Sequence, residues 1–196
     1  MEQVSLGTFR AWKRGVRRPN LAALLLCLSV TAWLTLALSS KAADEPLEYR
    51  VKAAFLLNFT KFIEWPASAF ETSDSPIAVC ILGEDPFGAA LDEILAGEVV
   101  NGRKLSLRRL KRPPAPRSCQ VLFVSRSEKE SHPALPNAGT GMLTVGEGED
   151  FVREGGMIGF LIDNRRVRFD INQTAAENAG LKLSSKLLSV ARSIKR

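Results

Sequence analysis

Ile77-Ala78-Val79-Cys80-Ile81-Leu82 is a run of six apolar residues, followed at once by the turn-forming Gly83-Glu84-Asp85-Pro86. A strand with one face in water alternates apolar and polar residues, so an unbroken run of this length predicts a strand covered on both faces. Residues 119–124, apolar but for Gln120, make a second such strand, and residues 142–145 and 157–162 read as further strands. Helical patterns lie between and around them. Residues 47–63 place Leu47, Val51, Phe55, Phe59 and Phe62 at helical spacing, with Tyr49, Ala53, Leu56 and Ile63 broadening the stripe. Trp65-Pro66 ends that helix, because a residue before proline avoids helical geometry.

The pattern continues outward from this centre. Pro86 suits the first turn of a helix carrying Phe87, Leu91, Ile94 and Leu95. Residues 149–154 read as a brief helix, and Thr174-Ala175-Ala176-Glu177 has the spacing of a capping box. Residues 184–194 read as a closing helix with Leu187, Leu188, Ala191 and Ile194 on one face. Two tight turns are expected. Asn101-Gly102 joins residues 99–100 to 104–110, and Asp163-Asn164 joins 157–162 to 165–171. In that last strand Val167, Phe169 and Ile171 face one side and Arg166, Arg168 and Asp170 the other. Strands alternating with helices predict a single compact α/β domain. Its sheet should be mostly parallel, flanked by helices, with an antiparallel hairpin at one edge.

The 196 residues suit one domain with a short appendage at its N-terminus. A basic stretch through Arg18 precedes an uncharged apolar run over residues 21–38, and the small residues Ser39, Ser40, Ala42 and Ala43 follow. These three zones describe a secretory signal peptide over residues 1–42, ahead of a domain at 43–196. The competing reading is a retained anchor helix, since the run approaches the length that spans a bilayer. Six of the 27 Lys/Arg residues (Arg10, Lys13, Arg14, Arg17, Arg18, Lys41) but only Glu2 of the 21 acids lie in this leader. The rest of the chain is nearly neutral, which removes the basis for a nucleic-acid partner.

Signals for catalysis are sparse. The single histidine, His132, lies in a loop between Ser131 and Pro133, so no serine–histidine–acid arrangement can be built without it. No Cys/His cluster offers a metal site, and Gly139-Thr140-Gly141 and Gly146-Glu147-Gly148 lack the Gly-Lys-Ser/Thr ending of a phosphate loop. Asp85, Asp92 and Glu93 read as a solvated helix face. No catalytic residue, metal or cofactor is expected. Two positions stand out. Arg166 and Arg168, on one strand face, suit recognition of a carboxylate or phosphate, against the alternative of a charged edge that deters aggregation. Cys80 and Cys119 remain once the leader is removed; they are disulfide candidates in an oxidising compartment, or else buried free thiols.

Whole phrases of the sequence are also familiar. Tyr49-Arg50-Val51-Lys52-Ala53-Ala54-Phe55-Leu56-Leu57-Asn58-Phe59-Thr60-Lys61-Phe62-Ile63-Glu64-Trp65-Pro66 resembles the opening segment of the YfiR-like family of periplasmic proteins. Gly83-Glu84-Asp85-Pro86-Phe87-Gly88, Cys119 ahead of an apolar strand, Gly155-Gly156-Met157-Ile158, Arg168-Phe169-Asp170-Ile171-Asn172 and Gly180-Leu181-Lys182-Leu183-Ser184-Ser185-Lys186-Leu187-Leu188 follow in the family's order. The resemblance implies a non-catalytic α/β domain, often a homodimer. It would bind the periplasmic sensor region of an inner-membrane diguanylate cyclase or sensor kinase. Repression of the cyclase would lower cyclic di-GMP and biofilm formation, and an outer-membrane lipoprotein would relieve it. Cys80 and Cys119 match one disulfide pair of the family's best-known member. A second pair found there has no counterpart in this chain, which favours a structural staple over redox sensing.

Overall fold

The computed structural model describes residues 47–114, 117–126 and 140–196. The leader expected at 1–42 and the loop carrying His132 lie outside these residues. Along the described chain run α1 (Leu47–Phe62), β1 (Ile63–Glu64), a 3-10 turn (Ala67–Ala69), β2 (Ile77–Leu82), α2 (Ala89–Leu95), β3 (Val99–Val100) and β4 (Arg103–Leu110). Then come β5 (Val121–Val124), β6 (Leu143–Glu147), α3 (Glu149–Arg153), β7 (Ile158–Asp163), β8 (Arg166–Asn172), α4 (Gln173–Asn178), β9 (Lys182–Leu183), α5 (Ser185–Val190) and β10 (Ser193–Lys195).

Among the described residues the main sheet has eight strands in the order β10-β8-β7-β6-β5-β2-β4-β3. Pairing is parallel from β4 through β2, β5 and β6 to β7, and again between β8 and β10. The β7–β8 and β3–β4 pairs are antiparallel. The mostly parallel α/β domain is therefore as expected, with a hairpin near each edge. Every residue of β2 and β5 is buried, as two-sided coverage requires. One face packs Val79, Ile81, Phe123, Val145, Phe160 and Phe169 against α1, α2, α4 and Leu187. The other gathers Ala78, Cys80, Leu82, Leu122, Val124 and Met142 with Phe151 of α3. The ring of Phe151 is wedged between Gly146 and Gly156, where an added Cβ would come within 2.4 and 2.3 Å of it. Those glycines therefore serve packing rather than phosphate binding.

Five local readings need correction. The buried face of α1 is Lys52, Ala53, Leu56, Phe59 and Thr60, whereas Leu47 is 75% and Val51 37% exposed. Tyr49, Phe55 and Phe62 still pack against the core, and the buried face widens to take in two polar side chains that find partners: Thr60 donates to the Leu57 carbonyl, and Lys52 is ion-paired. Pro86 and Phe87 precede α2, held by a turn in which Asp85 accepts from the Phe87 amide at 2.7 Å. The second hairpin turns at Asn164-Arg165 (φ 49° and 60°), one residue beyond Asp163-Asn164. Asp163 instead pairs with Arg166, so opposite charges close the strand ends. Helix α4 is capped by Asn172, whose side chain accepts from the Ala175 amide, in place of a box begun by Thr174. The last correction is the largest. The closing helix stops at Val190, Ala191 is extended (ψ 147°), and residues 193–195 add a parallel strand beside Asp170, Ile171 and Asn172.

Candidate functional site

From β2 the chain crosses to β4 on one side and then to β5 on the other. The carboxyl ends of β2 and β5 thus diverge at a topological switch point, where open α/β sheets hold their ligands. Glu84 and Pro86 follow β2 there, Ser125 and Arg126 follow β5, Glu147 ends β6, and Tyr49 leans in from α1, around a depression of about 170 Å³. Lys52, 3% exposed, lies beside it. Its ammonium donates to Glu147 at 2.5 Å and to Glu48 one helical turn back, and sits 4.5 Å from the centre of the Tyr49 ring. Burial works to lower the Lys52 pKa, but the hydrogen bonds to Glu147 and Glu48 outweigh it and hold it above 10.5. Burial, then the Glu147 charge, also raise that of Tyr49. Both groups are thereby moved away from the range in which a general acid or base exchanges protons at neutral pH. The depression left at the switch point is small, and the charges of Lys52 and Glu147 at its side are already paired with one another.

Other charges are likewise consumed internally. Asp85 and Asp92 converge on Arg109, which donates to Asp85 at 2.7 Å, to Asp92 at 2.5 Å and to the Gly88 carbonyl at 3.0 Å. The hydrogen bond from Arg109 holds Asp92 below its usual pKa. Glu93 is exposed and takes no part. On the opposite edge Arg192 makes a two-pronged contact with Asp170 (2.9 and 2.6 Å) and reaches Glu149 at 2.8 Å. Burial works to raise the Asp170 pKa, yet the Arg192 contact prevails and lowers it.

Cys80 and Cys119 form a disulfide with Cα atoms 6.0 Å apart, joining β2 to the residue that leads into β5. Both are buried, at 0 and 1% exposure. Beside it Gln120, unremarked in the sequence, ties three segments together: its carboxamide accepts from the Ala78 amide and donates to the Ala69 carbonyl, while its backbone carbonyl accepts from the Trp65 indole.

The two arginines singled out from the sequence sit in different surroundings. Arg166 lies at the hairpin end of β8, opposite Asp163. Arg168, two residues on, borders a groove of about 480 Å³ between α1 and α5, floored by Phe55, Phe59, Phe62, Phe169 and Leu187 and rimmed by Lys186, Ser189 and Val190. Only Arg168 lines it. Lys52, Glu147, Arg192 and Lys186 were missed by sequence reasoning. For Lys52 a signal existed, since it falls one turn from both Glu48 and Leu56 on the face that the rest of the helix buries.

With this arrangement in place, comparison with known proteins is informative. The sequence matches the YfiR/HmsC-like family over residues 49–192. The chain belongs to this family. The resemblance drawn from its motifs therefore holds, and with it membership of a family of periplasmic regulators. As a YfiR/HmsC-like protein with a buried disulfide, it has the bonding expected in an oxidising compartment. Among the described residues no helix is long and apolar enough to cross a membrane. No curated protein matches the sequence. Among solved structures, a conserved domain protein from Vibrio cholerae is similar at 14% identity with a TM-score of 0.41, covering 61% of this chain. This chain spans 55% of the length of that one, and a likeness at this level carries no functional argument.

Proposed function

We propose that this protein is a non-catalytic periplasmic regulator, exported by its leader. It binds the periplasmic sensor region of an inner-membrane diguanylate cyclase or sensor kinase and represses it. The observation that carries this reading is the family match across residues 49–192. The switch point supports it, because the depression there is small and Lys52, Glu48 and Glu147 beside it satisfy one another. Repression of this kind is a population shift: the regulator must bind the inactive sensor conformation more tightly than the active one. To move an equilibrium from 1:99 to 99:1 the difference must reach about 10⁴-fold. A homodimer and release by an outer-membrane lipoprotein belong to the same proposal.

The test is genetic and biochemical. Deleting the gene should raise cyclic di-GMP and biofilm mass, and residues 43–196 should bind the purified sensor region of the cyclase whose activity rises. Unchanged cyclic di-GMP, together with no binding, would overturn the reading. A second reading, a periplasmic protein that binds an anionic ligand through Arg166 and Arg168, is supported by one observation: Arg168 stands at the rim of an open apolar groove.

A further inference from the structure

The groove between α1 and α5 has the features of a built ligand site. Its volume, about 480 Å³, falls within the roughly 300–1,000 Å³ range of small-molecule sites. Its floor is fixed in advance. Phe59 and Phe169 are 0 and 1% exposed, and Phe55 lies with ring centroids 6.1 Å from Phe59 and 5.3 Å from Phe169. Such a floor loses little conformational freedom when covered. The rim is cationic from two directions, with Arg168 on the part of β8 that β10 leaves uncovered and Lys186 on α5. The Lys186 ammonium already stands 6.0 Å from the Phe62 ring at the groove wall.

Among the described residues the two cations at this groove lack carboxylate partners, as exposed Arg50, Lys104 and Lys182 also do; what distinguishes them is that they share the border of one apolar groove. Lys52, Arg109 and Arg192 each meet two carboxylates, and Lys61 meets Glu98. Among the described residues neither Arg168 nor Lys186 is ion-paired to a carboxylate, and none of the groove's lining residues is acidic. Asn58 and Ser189 add neutral hydrogen-bonding groups beside the two cations. Aromatic floor, paired cations and absent acids together select an occupant with an apolar body and a negative head. A cationic head would meet Arg168 and Lys186 with no compensating acid.

We propose that this groove binds a single-chain anionic amphiphile, its chain lying on Phe55, Phe59, Phe62 and Phe169 and its head group held by Arg168 and Lys186. The proposal deepens the second reading above, narrowing the ligand class and replacing Arg166 with Lys186. It does not rest on repression of a cyclase.

The experiment titrates residues 43–196 with decanoate, decanol and decyltrimethylammonium, each below its micellar concentration, by calorimetry. Decanoate should bind with an affinity that falls with added salt. Decanol should bind at least about tenfold more weakly and decyltrimethylammonium not at all, since a charge-assisted contact is worth that factor or more. R168E/K186E should lose decanoate binding by a similar factor, while R166E binds as the unaltered protein does. Both substituted side chains are exposed, and an unchanged melting temperature shows that the variant folds. Equal binding of decanol and decanoate, or full binding by R168E/K186E, overturns the proposal. So does binding to anionic vesicles but not to monomeric decanoate, which would make the groove a membrane contact. Loss of sensor-region binding in R168E/K186E with no decanoate binding overturns it in favour of a protein contact. Cyclic di-GMP in the deletion strain is read separately, so either reading can fail alone.

Discussion

Two cationic regions of this molecule invite comparison. At the carboxyl end of the sheet Lys52 is almost wholly buried and held by two carboxylates, whereas beside β8 the cations Arg168 and Lys186 stand exposed around an aromatic floor. A buried charge is tolerated only when partners replace its lost water, so the first arrangement is a requirement of folding. Exposed cations need no partner for the fold to stand, which leaves the second free to meet something else. At the usual place to look in an α/β sheet the Lys52 and Glu147 charges are thus already paired, and the larger open groove lies at the side.

The contrast can be broken first at Glu147. Glu147→Ala leaves Lys52 buried with one partner and should lower stability by about 3–5 kcal/mol, read as a urea midpoint. Replacing Lys52 by Met in the same chain should restore most of it, because removing both charges avoids the uncompensated one. If Glu147→Ala alone is neutral, the pairing of Lys52 is not a requirement of folding. Next in size is the staple behind the crevice. Cys80→Ser opens a 39-residue separation and should cost about 4 kcal/mol in the chain-entropy account, seen as a lower melting temperature without reductant.

A smaller effect should appear with pH. The Lys52 pKa is raised in the fold above 10.5, so its contribution is complete below that value and lost as pH climbs through the folded value. Urea midpoints should therefore hold up to about pH 10 and fall above it in the unaltered protein, and fall less in Lys52→Met. Smallest of all, Arg168→Glu with Lys186→Glu should change stability by no more than about 0.5 kcal/mol, as surface substitutions do. A large loss there would mean that the groove serves the fold after all.

The parallel centre of the sheet was legible because its signal is local: Ile77–Leu82 is apolar throughout, and that alone demands cover on both faces. Asn101-Gly102 was equally plain, both residues taking the positive φ that this turn requires. Three misreadings were local, at the Asp85 turn, the Asn164-Arg165 turn and the Asn172 cap, and the larger ones came from distant partners. Residues 193–195 continue a helical spacing in the sequence, yet they extend because β8 offers them an edge at Asp170–Asn172. The burial of Lys52 could not be read locally because Glu147, which makes it possible, lies 95 positions further on. Arg168 was visible as a cation, but Lys186 and the four phenylalanines that give it a setting come together only in space.

Both sulfurs of the Cys80–Cys119 bond lie under the packed side chains of β2 and β5. Thiol–disulfide exchange needs a thiolate to reach one of them, so in the folded molecule the reagent must wait for an opening event. The lifetime of the link is then set by how often the domain unfolds, and mild swings in ambient glutathione pass unnoticed. Such a bond is a lasting record that the chain matured under oxidant rather than a gauge of present conditions.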